Sequence, residues 1–181
     1  RQLGRMRAGS CNQEACIIYS ELLTDFERIG DHALNLVESA EELAGKDLRL
    51  SDAAKHELSV LIRAVTEIVE LSFTAFWERD LQRAYLVEPL EQVIDRLKEI
   101  LRTNHILRLQ QQNCSIEAGF IWSDLLTNLE RVSDHCSNLA VAVIESKSQN
   151  DPAGAHAYLQ EIKNSYDFNE VYEEYMTEHA L

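Results

Sequence analysis

The chain has 181 residues, 45% hydrophobic and 27% charged, with six glycines, two prolines and a formal net charge of −14. This length and apolar content suit one well-filled globular domain rather than a disordered segment, and the acidity argues against binding nucleic acid or docking on an anionic membrane surface. No apolar run approaches the roughly 18 to 20 residues of a transmembrane helix, so no direct membrane insertion is expected, and no signal-peptide pattern is read.

Taken in order, residues 1 to 11 read as the end of a helix whose beginning is absent, and the opening on Arg1 rather than Met suggests an excised fragment. One long helix is expected from about Asn12 to Ala44, with Ile17, Ile18, Leu22, Phe26, Ile29, Ala33 and Val37 at helical spacing and Gly45 as its stop. Within it Glu27, Asp31 and Asn35 recur at i, i+4 and i+8, which stacks three oxygen-bearing side chains in one stripe. Two carboxylates one turn apart repel by roughly 0.2 to 0.5 kcal/mol in water and by more when buried. Leu23, Gly30 and Leu34 flank the stripe, while Leu22, Ile29, Ala33 and Leu36 take the far side. A helix with no wide solvated face predicts a buried stripe neutralised by a cation; ordinary surface pairing of Arg28 with Asp31 is the alternative.

Ser51 or Asp52 can cap a second helix, whose apolar positions Leu58, Leu61, Ile62, Val65, Ile68, Val69, Phe73 and Phe76 continue to about Tyr85. Pro89 then interrupts, either as the first turn of a new helix or as a kink. Beyond it Leu90, Val93, Ile94, Leu97, Ile100, Leu101 and Ile106 keep the helical period, and Glu91 and Asp95 form a further acidic pair at i, i+4. On these residues alone, a solvated face with Lys98 bridging Asp95 accounts for that pair. A last long helix is expected from Ser115 to about Ser148, Asp151 and Pro152 start a turn or a short helix, and Phe168, Val171, Tyr172 and Tyr175 form a stripe expected to pack back on the bundle, with partner binding as the alternative. The four cysteines form no CxxC pair, so free thiols are expected.

The chain repeats itself. At a register of 103 residues, window 5 to 39 matches window 108 to 142 at 15 of 35 positions without a gap. The identities include Arg5/Arg108, Cys11/Cys114, Glu14/Glu117, Thr24/Thr127, Glu27/Glu130, Arg28/Arg131, Asp31/Asp134, His32/His135 and Asn35/Asn138. Hydrophobic packing alone does not require those polar matches.

The segments ERIGDHALN and ERVSDHCSN resemble the signature of the PhoU family of phosphate-transport regulators. The stretch from His105 to Glu145 and the Tyr-rich ending resemble the PhoU-like domain at the C-terminus of bacterial sodium/phosphate cotransporters. The resemblance implies an all-α antiparallel bundle of long helices built from three-helix repeats. Residues 1–45 would be the end of one repeat, 46–150 a complete second repeat, and 151–181 a helical tail. It also implies that Glu91 and Asp95 face Glu130 and Asp134 and hold metal with them. The register then sets the partners of Glu27 and Asp31 at positions −12 and −8, off the chain. One complete site and one half-site are therefore expected, the latter open or completed by a second copy in a homodimer.

Carboxylates with amide oxygen nearby favour hard or borderline divalent or trivalent ions such as magnesium or manganese, and the resemblance points to iron, with zinc or nickel as other occupants. Asn35, Asn138, His32 and His135 are candidates to support the ligands from behind. The implied function is non-enzymatic: a metal-binding domain on the cytoplasmic face of the plasma membrane, modulating phosphate uptake by the membrane-embedded transporter portion of the same polypeptide. A free-standing PhoU-type regulator is the alternative. A ferritin-like di-iron protein would need Glu-x-x-His pairs, and none of the six histidines has Glu or Asp three residues earlier.

Overall fold

A computed structural model describes residues 13–112, 114–150 and 167–181, with side chains for 20–112, 114–146 and 167–181. Residues 1 to 11 and the turn expected at Asp151 and Pro152 lie outside the described residues, as do the side chains of Cys11 and Cys16. Five helices, and among the described residues no strand, make the fold all-α: α1 Gln13–Gly45, α2 Asp52–Glu78, α3 Leu81–Gln110, α4 Ile116–Asn150 and α5 Phe168–Glu178. Helix α2 packs on α3 and α4, α3 on α4, α1 on α4, and α5 on α3.

The ends of these helices have local causes. Helix α1 runs through Gly45, and the left-handed residue that stops it is Asp47 (φ 49°), two positions later than expected. The Leu48 N–H reaches Leu43 O at 3.0 Å and the Asp47 N–H reaches Ala44 O at 3.2 Å, a Schellman closure with Asp47 in the glycine place. Ser51 caps α2, its Oγ accepting from the Ala54 N–H at 3.2 Å. Helix α2 was expected to reach Tyr85 but ends at Glu78, where Arg79 adopts left-handed φ (54°) and Asp80 caps α3 by accepting from the Gln82 and Arg83 N–H groups. Pro89 breaks nothing; it lies buried inside α3. The break falls where a capping carboxylate satisfies the orphan donors of the next helix.

The core is built from α2, α3 and α4. Val60, Leu61 and Ile68 of α2, Leu90, Ile94 and Leu101 of α3, and Trp122, Leu129 and Leu139 of α4 are all buried. One charged pair sits among them. Arg108 Nη1 lies 2.8 Å from Glu57 Oε2, with both side chains nearly buried, and its guanidinium stacks 5.3 Å over the Trp122 ring. Helix α1 sits at the flank, and of its described side chains only Ile29 is a buried member of this core, while Phe26 meets the edges of Phe73 and Phe76. Its Leu23, Leu34 and Val37 are more than half exposed, at 53%, 57% and 54%. Among the described residues no helix is long and apolar enough to cross a membrane.

Candidate metal centre

The repeated segments of α1 and α4 lie against one another antiparallel, and their polar identities meet at the seam. Asn128 Oδ1 accepts from Asn35 Nδ2 at 3.0 Å and lies 2.8 Å from His32 Nδ1. In the mirrored arrangement Asp25 Oδ1 accepts from Asn138 Nδ2 at 3.0 Å and lies 2.9 Å from His135 Nδ1. Asp25 and Asn128 are equivalent positions of the repeat, so the contact has local two-fold symmetry, with the rings of His32 and His135 stacked at its centre, 5.7 Å apart. His32, His135, Asn35 and Asn138 are thus used in joining one repeat to the other. The Thr24 and Thr127 hydroxyls are satisfied locally, each donating to the carbonyl one turn back.

Of the remaining shared residues of α4, Glu117 meets Lys46 at 2.7 Å, while Glu130 and Asp134 turn towards α3. Glu91 and Asp95 of α3 and Asp134 of α4 each place a carboxylate oxygen within 4.8 Å of the others. Bonds of about 2.0 to 2.4 Å to a hard cation can span that separation. Glu130 lies beside this trio but is held by Lys98, whose Nζ is 2.6 Å from its Oε1 with both side chains mostly buried. Lys98 therefore bridges the two helices instead of pairing with Asp95 in a contact of its own. Arg131 does pair with Asp134, Nη1 to Oδ2 at 3.0 Å, the counterpart in the second copy of the Arg28–Asp31 bridge read from the sequence as the ordinary alternative. Glu88 continues the row, accepting from Ser137 Oγ at 2.9 Å.

Acid still outweighs base in this row. Glu88, Glu91, Asp95, Glu99, Glu130 and Asp134 are set against Lys98, Arg131, Arg96 and Arg102. The electrostatic result falls on Glu91, pushed up to about 7, first by burial and then by Asp95, Glu88, Asp134 and Glu130. Burial and the charge of Glu130 raise Asp95 in the same direction. An open groove of about 510 Å³ gives access, lined by Glu91, Gln92, Asp95, Arg96, Glu99 and Tyr172. Oxygen-only donors with unneutralised negative charge fit a hard cation. Glu91, Asp95 and Asp134 would hold it, with Glu130 joining once Lys98 is displaced.

The first stripe is arranged differently. Glu27 and Asp31 are exposed, as are Leu23, Gly30, Ala33 and Leu34 around them. The expected burial of this stripe is therefore corrected. Among the described residues no helix packs on that side of α1, and Glu27 and Asp31 join no group able to surround an ion.

Two participants carried weak sequence signals or none. Glu88 lies one helical turn before the acidic pair, a spacing that could have been noticed. Tyr172 reaches the groove from α5, and nothing in the local sequence announces that tertiary placement.

Residues 58–143 match the PhoU domain. The chain is 30% identical over 120 residues to the phosphate-specific transport system accessory protein PhoU homolog 1 of Thermotoga maritima, covering 66% of this chain and 51% of that protein. An uncharacterized protein of Deinococcus radiodurans is 33% identical over 119 residues, or 65% of this chain and 42% of that protein. A phosphate-specific transport system accessory protein PhoU homolog of the same organism is 28% identical over 123 residues, or 67% of this chain and 55% of that protein. The chain thus spans about half the length of the curated relatives it matches. No solved structure matches it.

Proposed function

We propose that the chain is a non-enzymatic, cation-binding regulatory module of phosphate uptake, acting on the cytoplasmic side; the match of residues 58–143 to the PhoU domain and the likeness to PhoU accessory proteins of phosphate transport support this reading. The observation that carries this reading is the convergence of Glu91, Asp95 and Asp134 from two helices. A divalent or trivalent ion there, iron first and manganese, magnesium, zinc or nickel next, would tie α3 to α4 and offset the repulsion concentrated on Glu91. Positive charge from the ion supplies what Lys98 and Arg131 leave unbalanced. The accessory-protein names of the relatives favour a module that acts on a transport system in trans. Attachment to a sodium-dependent phosphate transporter in the same polypeptide, read from the tail and the His105 to Glu145 stretch, is the second form of the same proposal.

The test is made in cells that express the full-length gene product. Phosphate uptake is measured in phosphate-rich and phosphate-poor medium for the wild type, a gene deletion and an Asp95→Asn/Asp134→Asn variant. The proposal expects deletion to disturb the response to phosphate and the double variant to reproduce that disturbance at normal protein level. An unaltered response in the deletion would overturn the regulatory role. A normal response in the double variant would overturn the role of the acidic groove.

A further inference from the structure

A second set of donors lies at the other end of α5, away from the groove touched by Tyr172. Glu67 of α2 and Glu178 and His179 at the close of α5 each bring one ligand atom within 4.8 Å of the others. His179 is only 4% exposed, and its Nε2 lies 2.9 Å from Glu67 Oε2. Tyr175, one turn earlier, stacks on the same ring at 6.5 Å. The imidazole is thus fixed between a ring and a carboxylate, while its Nδ1 is buried without a hydrogen-bond partner among the described residues.

Two observations independent of the carboxylates' proximity point to a cation. First, α5 has no basic residue in its last turn, so the partial negative charge of its terminal carbonyls is not offset from within the helix. Second, the ion pair formed by Glu67 is with His179, and among the described residues neither Glu67 nor Glu178 pairs with lysine or arginine. With the ring proton on Nε2 the 2.9 Å contact is a hydrogen bond to Glu67; with it on Nδ1 the Nε2 lone pair is free to take an ion shared with the Glu67 oxygen.

We propose that Glu67, Glu178 and His179 form a separate cation site that fastens the C-terminal helix to α2. One nitrogen and two carboxylate oxygens are the donors of a borderline divalent ion of the zinc type, with water in the fourth position. Magnesium and calcium, which prefer oxygen alone, belong in the acidic groove instead. On binding, the ion takes the Nε2 lone pair: a neutral ring shifts its one proton from Nε2 to Nδ1, and a protonated ring keeps the Nδ1 proton and releases the Nε2 proton to solvent. Separating Nε2 from the Glu67 oxygen to about 3.3 Å, the edge of a tetrahedron with bonds near 2.0 Å, needs a shift of only a few tenths of an ångström. Glu178 is exposed on the last turn and can close on the ion from outside. Since Tyr172 and His179 lie about two turns apart on α5, an ion here fixes the helix that supplies a wall of the groove.

The experiment uses the intact chain bearing Asp95→Asn/Asp134→Asn, which disables the groove and keeps this test independent of it. Zinc is titrated while the imidazole nitrogens of His179 are followed by NMR, and α5 amide exchange is measured with and without the ion. Saturable movement of the His179 nitrogens to metal-bound positions is expected, together with slower exchange in α5. Adding Glu178→Gln, a surface change with little bearing on folding, should weaken binding at least tenfold. Ring nitrogens that stay in place under saturating zinc would overturn the proposal, as would undiminished affinity after Glu178→Gln. An equal response to magnesium would also overturn it, because that ion does not select nitrogen.

Discussion

Glu91 shows most directly how the fold loads individual residues. Burial, and then the charges of Asp95, Glu88, Asp134 and Glu130, push its carboxyl up from 4.5 to about 7, so the folded chain holds that proton more tightly than the unfolded one. The ion-free protein should lose stability as pH rises from about 4.5 to about 7 and level off above; the upward shift of Asp95 acts with the same sign. Urea unfolding in chelator across that range should show the decline, and Glu91→Gln should flatten it; an equally steep decline in the variant contradicts the assignment. A different balance governs Glu57 and Arg108. Arg108→Met leaves the nearly buried Glu57 carboxylate without its cation, with the Asn104 amide still donating to it, and should cost about 3 to 5 kcal/mol in denaturant unfolding. Glu57→Leu in the same chain should recover most of that loss. At the repeat seam, His135→Leu removes one of two partners of Asp25 Oδ1 and should cost about 1 to 3 kcal/mol by the same measurement.

Among the elements, what sequence periodicity made legible was their existence; what it missed was set by chain reversals and by contacts distant in sequence. The apolar rows read for α2 and α3 supply much of the core, although Ile62 and Ile106 are exposed. The boundary at Arg79 and Asp80 escaped because a non-glycine left-handed residue carries no strong signal, whereas Pro89 carries a strong one and is tolerated inside α3. The α5 stripe was legible too: Val171 is buried, and Tyr172 and Tyr175 pack against the core. Its register over the groove was not, because a helix of this kind can dock anywhere that offers apolar surface. At this scale the caps are testable. Ser51→Ala removes the side-chain acceptor at the start of α2 and should lower stability by about 1 kcal/mol, read as a small fall in urea midpoint with an unchanged slope.

For the molecule as a whole, the duplicated segment organises two different surfaces. Its His and Asn residues, with Asp25 and Asn128, form the two-fold seam between α1 and α4, which explains identities that hydrophobic packing left unexplained. Its Glu and Asp residues face outward from that seam, and only the second pair meets an acidic partner helix. The family resemblance, and not the repeat register, implied the pairing of Glu91 and Asp95 with the α4 acids. Helical periodicity could not give the exposure of Glu27 and Asp31, because burial depends on which helix lies opposite and not on the wheel of one helix. The central claim is that the α3–α4 row is completed by a cation. Calorimetric titration of the chelator-treated chain with manganese, alongside thermal unfolding, tests it most directly. The account expects saturable binding that raises stability by about 2.7 kcal/mol at a hundredfold excess over Kd and is abolished by Asp95→Asn/Asp134→Asn. Manganese binding of equal strength in the double variant, or none in the wild type with iron and magnesium equally inert, would contradict it.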